Sequence, residues 1–344
     1  SPGLIPSANF NTVLWNGNAT ARSIAVGFAP GLVWLKNTNN STNSTWSNSL
    51  FDTSRPSGYR LISDNTAAEQ NYSTHFSGIS STGFNLPSSQ VFNDSGGSGT
   101  YVSWNWKAGG AAVQNNDGTI TGSNCMVSAN VDAGFSIIKF TGTGSSFSNQ
   151  TVGTGLDSAV EIYFIKGLSN SGDSWIAGGS VLAVGGNNLT SFLRLNTTDS
   201  IGNTTSGSVG TSGNTINVGV RNYSSADSIV YGWHSVPGYS KIGFFIGNGS
   251  TQNIYMGFKP AWIMLKSTSS GAGNNYWTIF DNKRNPSNPI TCEIYANSAD
   301  YQYCTFGSAP NYRGLNFTDT GIELLSTSYN NQAFETFIYM AFSE

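Results

Sequence analysis

The sequence predicts an all-β chain of three tandem β-sandwich repeats. Three observations carry that expectation: a long internal echo, short aromatic-rich runs set between turn formers, and an almost complete lack of helix signals. The tract NGNATARSIAVGFAPGLVWLK (16–36) returns as IGNGSTQNIYMGFKPAWIMLK (246–266). Self-similarity over such a distance marks a repeat architecture and outranks any single motif.

The echo continues along the chain. LFDTSR (50–55) matches IFDNKR (279–284), and STGFNL (81–86) matches DTGIEL (319–324). Both units close on an aromatic-rich strand, TYVSWNW (100–106) and TFIYMAF (336–342). A diverged copy lies between them, with FSIIKFTGTG (135–144), AVEIYFIK (159–166) and SIVYGW (228–233). In it Trp175-Ile176-Ala177 replaces the Phe-Asp-x-x-Arg element. The expected units are therefore 1–112, 113–236 and 237–344. At roughly 110 residues each they are domains rather than solenoid turns.

Within a unit, runs rich in Val, Ile, Tyr, Phe and Trp sit between clusters of Gly, Asn, Ser and Asp, the signature of antiparallel strands. In Thr336–Phe342 both alternating faces are apolar, which predicts a strand covered on both sides. Gly31–Leu35 reads the same way. Pro30 and Pro260 precede strands, where a missing N–H costs no ladder bond. Thr66-Ala67-Ala68-Glu69 resembles a capping box and predicts one or two helical turns. Asn116-Asp117-Gly118 reads as a hairpin turn rather than a calcium loop, because no further carboxylates follow at calcium spacing. The junction around Pro237-Gly238 is tight and suggests units abutting end to end.

Composition narrows the function. Charged residues are 10% of the chain, against about 25% in ordinary soluble domains. Asn, Ser, Thr and 41 glycines take their place, and aromatics reach 13%. With 15 basic residues and a net charge of −3, there is no basic stripe for nucleic acid. No apolar run reaches the ~18 residues of a membrane span. The chain opens Ser1-Pro2-Gly3 rather than with Met, which fits a mature form.

These repeats resemble a domain found several times over in virion and tail proteins of bacteriophages, many of them marine. The strings that carry the resemblance are GFAPGLVWLK, FDTSR, NTAAE, STGFNL, TYVSWNWKAGG, VSANVDAGFSIIKFTGTG, PGYSKIGFFIGNGS and TFIYMAFSE. It covers nearly the whole chain and is strongest in the first and third units. The resemblance implies a jelly-roll, lectin-like form for each unit and a structural, receptor-facing role on the virion. It supplies no enzymatic residues.

Chemistry is sparse. The only histidines, His75 and His234, have no GxSxG nearby, and the 18 acids show no paired spacing of a glycosidase. The expectation is a non-enzyme with no cofactor and no metal site. Cys125, Cys292 and Cys304 lack CxxC spacing. Cys292 and Cys304 flank a short segment and are candidates for a local disulfide, with Cys125 left as a buried thiol.

Other residues recur or stand apart. Asp52 with Arg55, and Asp281 with Arg284, read first as ion pairs at strand ends and second as a sugar-binding pair. Lys36, Lys166 and Lys266 each end the same strand and read as charges leaving the sandwich for solvent. Trp46, in a polar loop, suits stacking on a glycan or a subunit contact. Tyr276 and Trp277 are its counterpart. Candidate N-glycosylation sequons include Asn18, Asn43, Asn71, Asn149, Asn196, Asn203, Asn222, Asn248 and Asn316. Polar composition makes such matches frequent by chance.

The expected function is that of an extracellular, non-enzymatic fibre, tail or surface-decoration subunit of a virion. It would assemble with copies of itself and contact host-surface glycans. The alternatives are a secreted glycoprotein of a cellular filament, sheath or surface layer, slightly favoured by the missing Met and the sequons, and a soluble lectin. Self-association is expected because edge strands usually repel neighbours with charge and proline, and both are scarce here. Contacts above ~1,000 Å2 should involve sandwich edges and the loop Asn37–Ser49.

Overall fold

The computed structural model describes residues 3–39, 47–94, 99–144, 149–183, 190–204, 209–269, 275–304, 314–325 and 329–344. Their regular structure is antiparallel strand with four short 3₁₀ turns.

Three large sheets dominate. The first runs in spatial order Phe10–Asn16, Thr100–Trp106, Leu32–Asn37, Ser49–Asp52, Tyr59–Ile62, Gln70–Asn71. The third repeats that order with Ser240–Ile246, Thr336–Phe342, Trp262–Ser267, Thr278–Asp281, Cys292–Tyr295 and Tyr303–Cys304. The middle sheet has eight strands, because the hairpin Val113–Asn115 and Gly122–Asn130 adds itself beside Phe135–Thr141. Each large sheet is backed by a three-stranded sheet, which makes a sandwich.

Strand alternation explains why both faces of the central strands are apolar. In Thr336–Phe342, Phe337, Tyr339 and Ala341 enter the core between the third large sheet and its small partner. Ile338, Met340 and Phe342 point the other way, into a fourth core. That fourth core is shared: Trp34, Trp104 and Trp106 come from the first sheet, Trp175 and Trp233 from the second, Trp262 and Trp277 from the third. The rings meet across sheets, with centroids of Trp106–Trp233 at 5.8 Å, Trp106–Trp262 at 5.5 Å and Phe164–Trp277 at 5.7 Å. A buried aromatic removes ~200 Å2 from water, or about 5 kcal/mol apiece. The sandwiches therefore pack side by side around a common centre, not end to end as the tight Pro237-Gly238 junction suggested.

A further expectation is corrected. Thr66–Glu69 forms no helix; it runs extended along the middle sandwich, with Glu69 N donating to Leu168 O and Thr66 O accepting from Gly172 N. Those backbone bonds to a neighbouring sandwich outweigh a one-turn capping preference. Parts of two edges are covered by the chain's own side chains: on the first, Arg22 Nη1 donates to Asn16 O at 3.0 Å. On the Ser240–Ile246 edge, Ser240 exchanges backbone bonds with Val236, Ser235 Oγ accepts from Ile242 N, and Gln252 Nε2 donates to Ile246 O.

Candidate functional site

The polar residues that recur between repeats converge on the junctions between sandwiches. Lys36, Lys166 and Lys266 occupy matching positions, paired with Val102, Ile229 and Ile338 of their central strands. All three are buried, correcting the expectation that they leave for solvent. Each ammonium instead reaches a carbonyl on the adjacent sandwich. Lys36 Nζ donates to Ser298 O and Ala299 O at 3.2 and 2.9 Å, Lys166 Nζ to Thr66 O at 3.4 Å, and Lys266 Nζ to Asp199 O at 3.0 Å. The first sandwich thus grips the third, the second grips the first, and the third grips the second. The ring closes. Burial holds each amine down to about 8, with nearby carboxylates opposing: Asp64 and Asp300 for Lys36, Asp173 for Lys166, Asp199 and Glu335 for Lys266.

A second set of bonds runs the same way round. Trp175 Nε1 donates to Ile62 O at 2.7 Å, Trp277 Nε1 to Arg194 O at 2.9 Å, and Asn48 Nδ2 to Tyr295 O at 3.0 Å. The register makes the three donors equivalent, and likewise the three acceptors. Trp277 is therefore a buried junction residue, 1% exposed, which corrects its reading as an aromatic offered to a glycan or another subunit. Tyr276 is half-buried and stacks on Tyr295 at 4.3 Å. Trp46 lies outside the described residues.

The Asp-Arg pairs anchor a third set. Asp52 Oδ2 receives Arg55 Nε at 2.7 Å and the hydroxyl of Tyr231, from the middle sandwich, at 2.6 Å. Asp281 Oδ2 receives Arg284 Nε at 2.6 Å and Trp104 Nε1, from the first sandwich, at 3.0 Å. At the third junction both partners change together. Gly179 stands where the aspartates stand, and Met340 where Tyr231 and Trp104 stand. A donor without an acceptor would be costly in this buried setting, and the chain has neither.

The remaining candidates lie on the periphery. His75 Nδ1 is 2.5 Å from Ser89 Oγ, and burial followed by the nearby Arg60 cation lowers its pKa. His234 Nδ1 faces Ser235 O at 3.0 Å. Cys292 and Cys304 pair across adjacent strands and are disulfide-bonded, while Cys125 is buried and its thiol is pushed up to about 11 by burial. Among the described residues, no three His, Cys, Asp or Glu side chains gather to hold a metal ion. No helix there is long and apolar enough to cross a membrane.

The sequons separate by exposure. Asn18, Asn71, Asn149, Asn203 and Asn248 are exposed. Asn196 is half-buried with its carbonyl taken by Trp175 N, and Asn316 is half-buried with its amide on Glu323. Asn222 is 1% exposed and receives Thr143 N, so it is a structural residue rather than a glycan acceptor. Asn43 lies outside the described residues. Two clefts open between sandwiches: one of about 690 Å3 beside Pro30, Lys107 and Asp132, and one of about 340 Å3 beside Glu161, Lys241 and Phe244.

Sequence reasoning missed the lysine clamp. The signal was present: a lysine recurs at that one position in all three repeats, including the diverged one that loses other shared motifs. Among known proteins, the family described as Domain of unknown function (DUF7483) matches residues 5–344, a span that takes in all three sandwiches. No curated protein matches the sequence.

Proposed function

The chain belongs to the DUF7483 family, and from that premise we propose a non-enzymatic structural role. It is an extracellular building block, a fibre, tail or surface-decoration subunit of a virion, that assembles with its own copies. The observation that carries this reading is the closed ring of sandwiches. The recurring buried polar groups are spent on joining one sandwich to the next, as expected of a chain selected for a rigid shape. A neutral polar surface suits close hydrogen-bonded contacts that salt barely screens. Peripheral loops and clefts remain for host-surface glycans.

The disulfide and the exposed sequons favour a second reading, a secreted subunit of a cellular filament, sheath or surface layer. A disulfide persists outside the reducing cytosol, which also supports an extracellular or virion-surface location. Electron microscopy of purified protein tests the structural role: ordered particles or fibres are expected. Dispersed single chains at every concentration and salt would refute it.

A further inference from the structure

The three sandwiches present matching positions along their edge strands, and the third differs most clearly from the middle one. On the third, Phe244 is 49% exposed, Ile246 59% and Phe334 95%. The strand register places Leu14, itself 44% exposed, and Lys139 where the third sandwich has Phe244, and the polar Asn16 and Thr141 where it has Ile246. Ser225 is the counterpart of Phe334. Both donate their amide to a glycine carbonyl, Gly142 and Gly247, and both sit in the left-handed region, at φ 57° and 67°. The bond to Gly247 sets Phe334 next to the end of Ser240–Ile246. An exposed aromatic residue in that conformation is uncommon, and the same turn is made with serine in the middle sandwich. The fold does not require these apolar groups.

We infer that this flank is where a second copy of the chain docks, through a twofold contact in which Phe244, Ile246 and Phe334 meet their own counterparts. Docking is by side chains rather than strand addition, because the chain itself occupies the outward backbone groups of Ser240 and Ile242 and the carbonyl of Ile246, which breaks the edge a further strand would need. The matching flank of the middle sandwich is closed by the chain's own strand Gly122–Asn130. The area fits a dimer. At ~200 Å2 per large side chain, the exposed fractions give roughly 400 Å2 per copy and about 800 Å2 across the twofold. With the usual ~57% apolar share, the whole interface comes to about 1,400 Å2, a standard size.

This inference rests on the self-assembly proposed above. The test is sedimentation velocity of the full chain and of a triple variant, Phe244→Lys, Ile246→Thr, Phe334→Ser, which installs the middle sandwich's own residues. Circular dichroism and melting check the fold. The wild type is expected to self-associate and the variant to associate about a hundredfold more weakly or not at all. Association unchanged in the variant overturns this contact and leaves the assembly reading standing. A wild type that stays monomeric in low and high salt removes both. Should the triple variant not fold, Phe334→Ser alone decides: unchanged association refutes the contact, and weakened association supports it.

Discussion

The lysine clamps make an unusual forecast for pH. Lys36, Lys166 and Lys266 have folded-state pKa values of about 8 against 10.5 for a free side chain. Below pH 8 the folded protein carries three buried ammonium groups whose desolvation costs stability. Between about 8 and 10.5 the folded state sheds protons that the unfolded chain still holds, so stability rises with pH. Raising pH from 7 to 9 should add about 1.3 kcal/mol per lysine, or about 4 kcal/mol for three. Cys125, pushed up to about 11 from 9, opposes this by about 0.4 kcal/mol at pH 9. The net expectation is a gain of about 3.6 kcal/mol, read from guanidinium denaturation midpoints at pH 7, 8 and 9 with unchanged slope. Lys266→Met should remove about a third of the gain. Stability that stays flat or falls over this range, or a rise untouched by the substitution, would refute the assignment of buried, desolvated amines.

Tyr231→Phe removes the hydroxyl that Asp52 accepts across a junction. It should cost about 1–3 kcal/mol, since the hydrogen bond is buried and its acceptor charged; urea unfolding of the variant checks this, and a neutral result would show the bond to be idle. If the natural protein is glycosylated, peptide mass spectrometry should find glycans on exposed sequons such as Asn18, Asn71 and Asn248 and none on Asn222, whose modification would contradict its buried position.

Much of the fold was legible because strand alternation is a strong signal. Phe337, Tyr339 and Ala341 against Ile338, Met340 and Phe342 announced two covered faces, and the structure supplies two cores. What covers the second face was not legible, since apolar pattern says that a face is buried and never by what. The same gap hid the clamps. Lysine at the end of an apolar strand ordinarily carries its charge out to water, and only a facing sandwich turns that exit into a junction. Trp277 misled for a related reason: its polar neighbours Asn274, Asn275 and Tyr276 suggested a wet loop, whereas its indole points inward to Arg194 O. Thr66–Glu69 failed because local propensity yields to long-range backbone pairing. The junction chemistry did leave a trace, in Met340 and Gly179 replacing donor and acceptor together.

Differential scanning calorimetry of the full chain tests most directly whether the three sandwiches, sharing one core and a ring of buried clamps, behave as one body. The account predicts a single transition whose calorimetric and van't Hoff enthalpies agree per chain, near ~240 kcal/mol at about 60 °C for a chain of this length. Two or three resolved transitions, carrying the enthalpies of one or two ~110-residue units each, would contradict it.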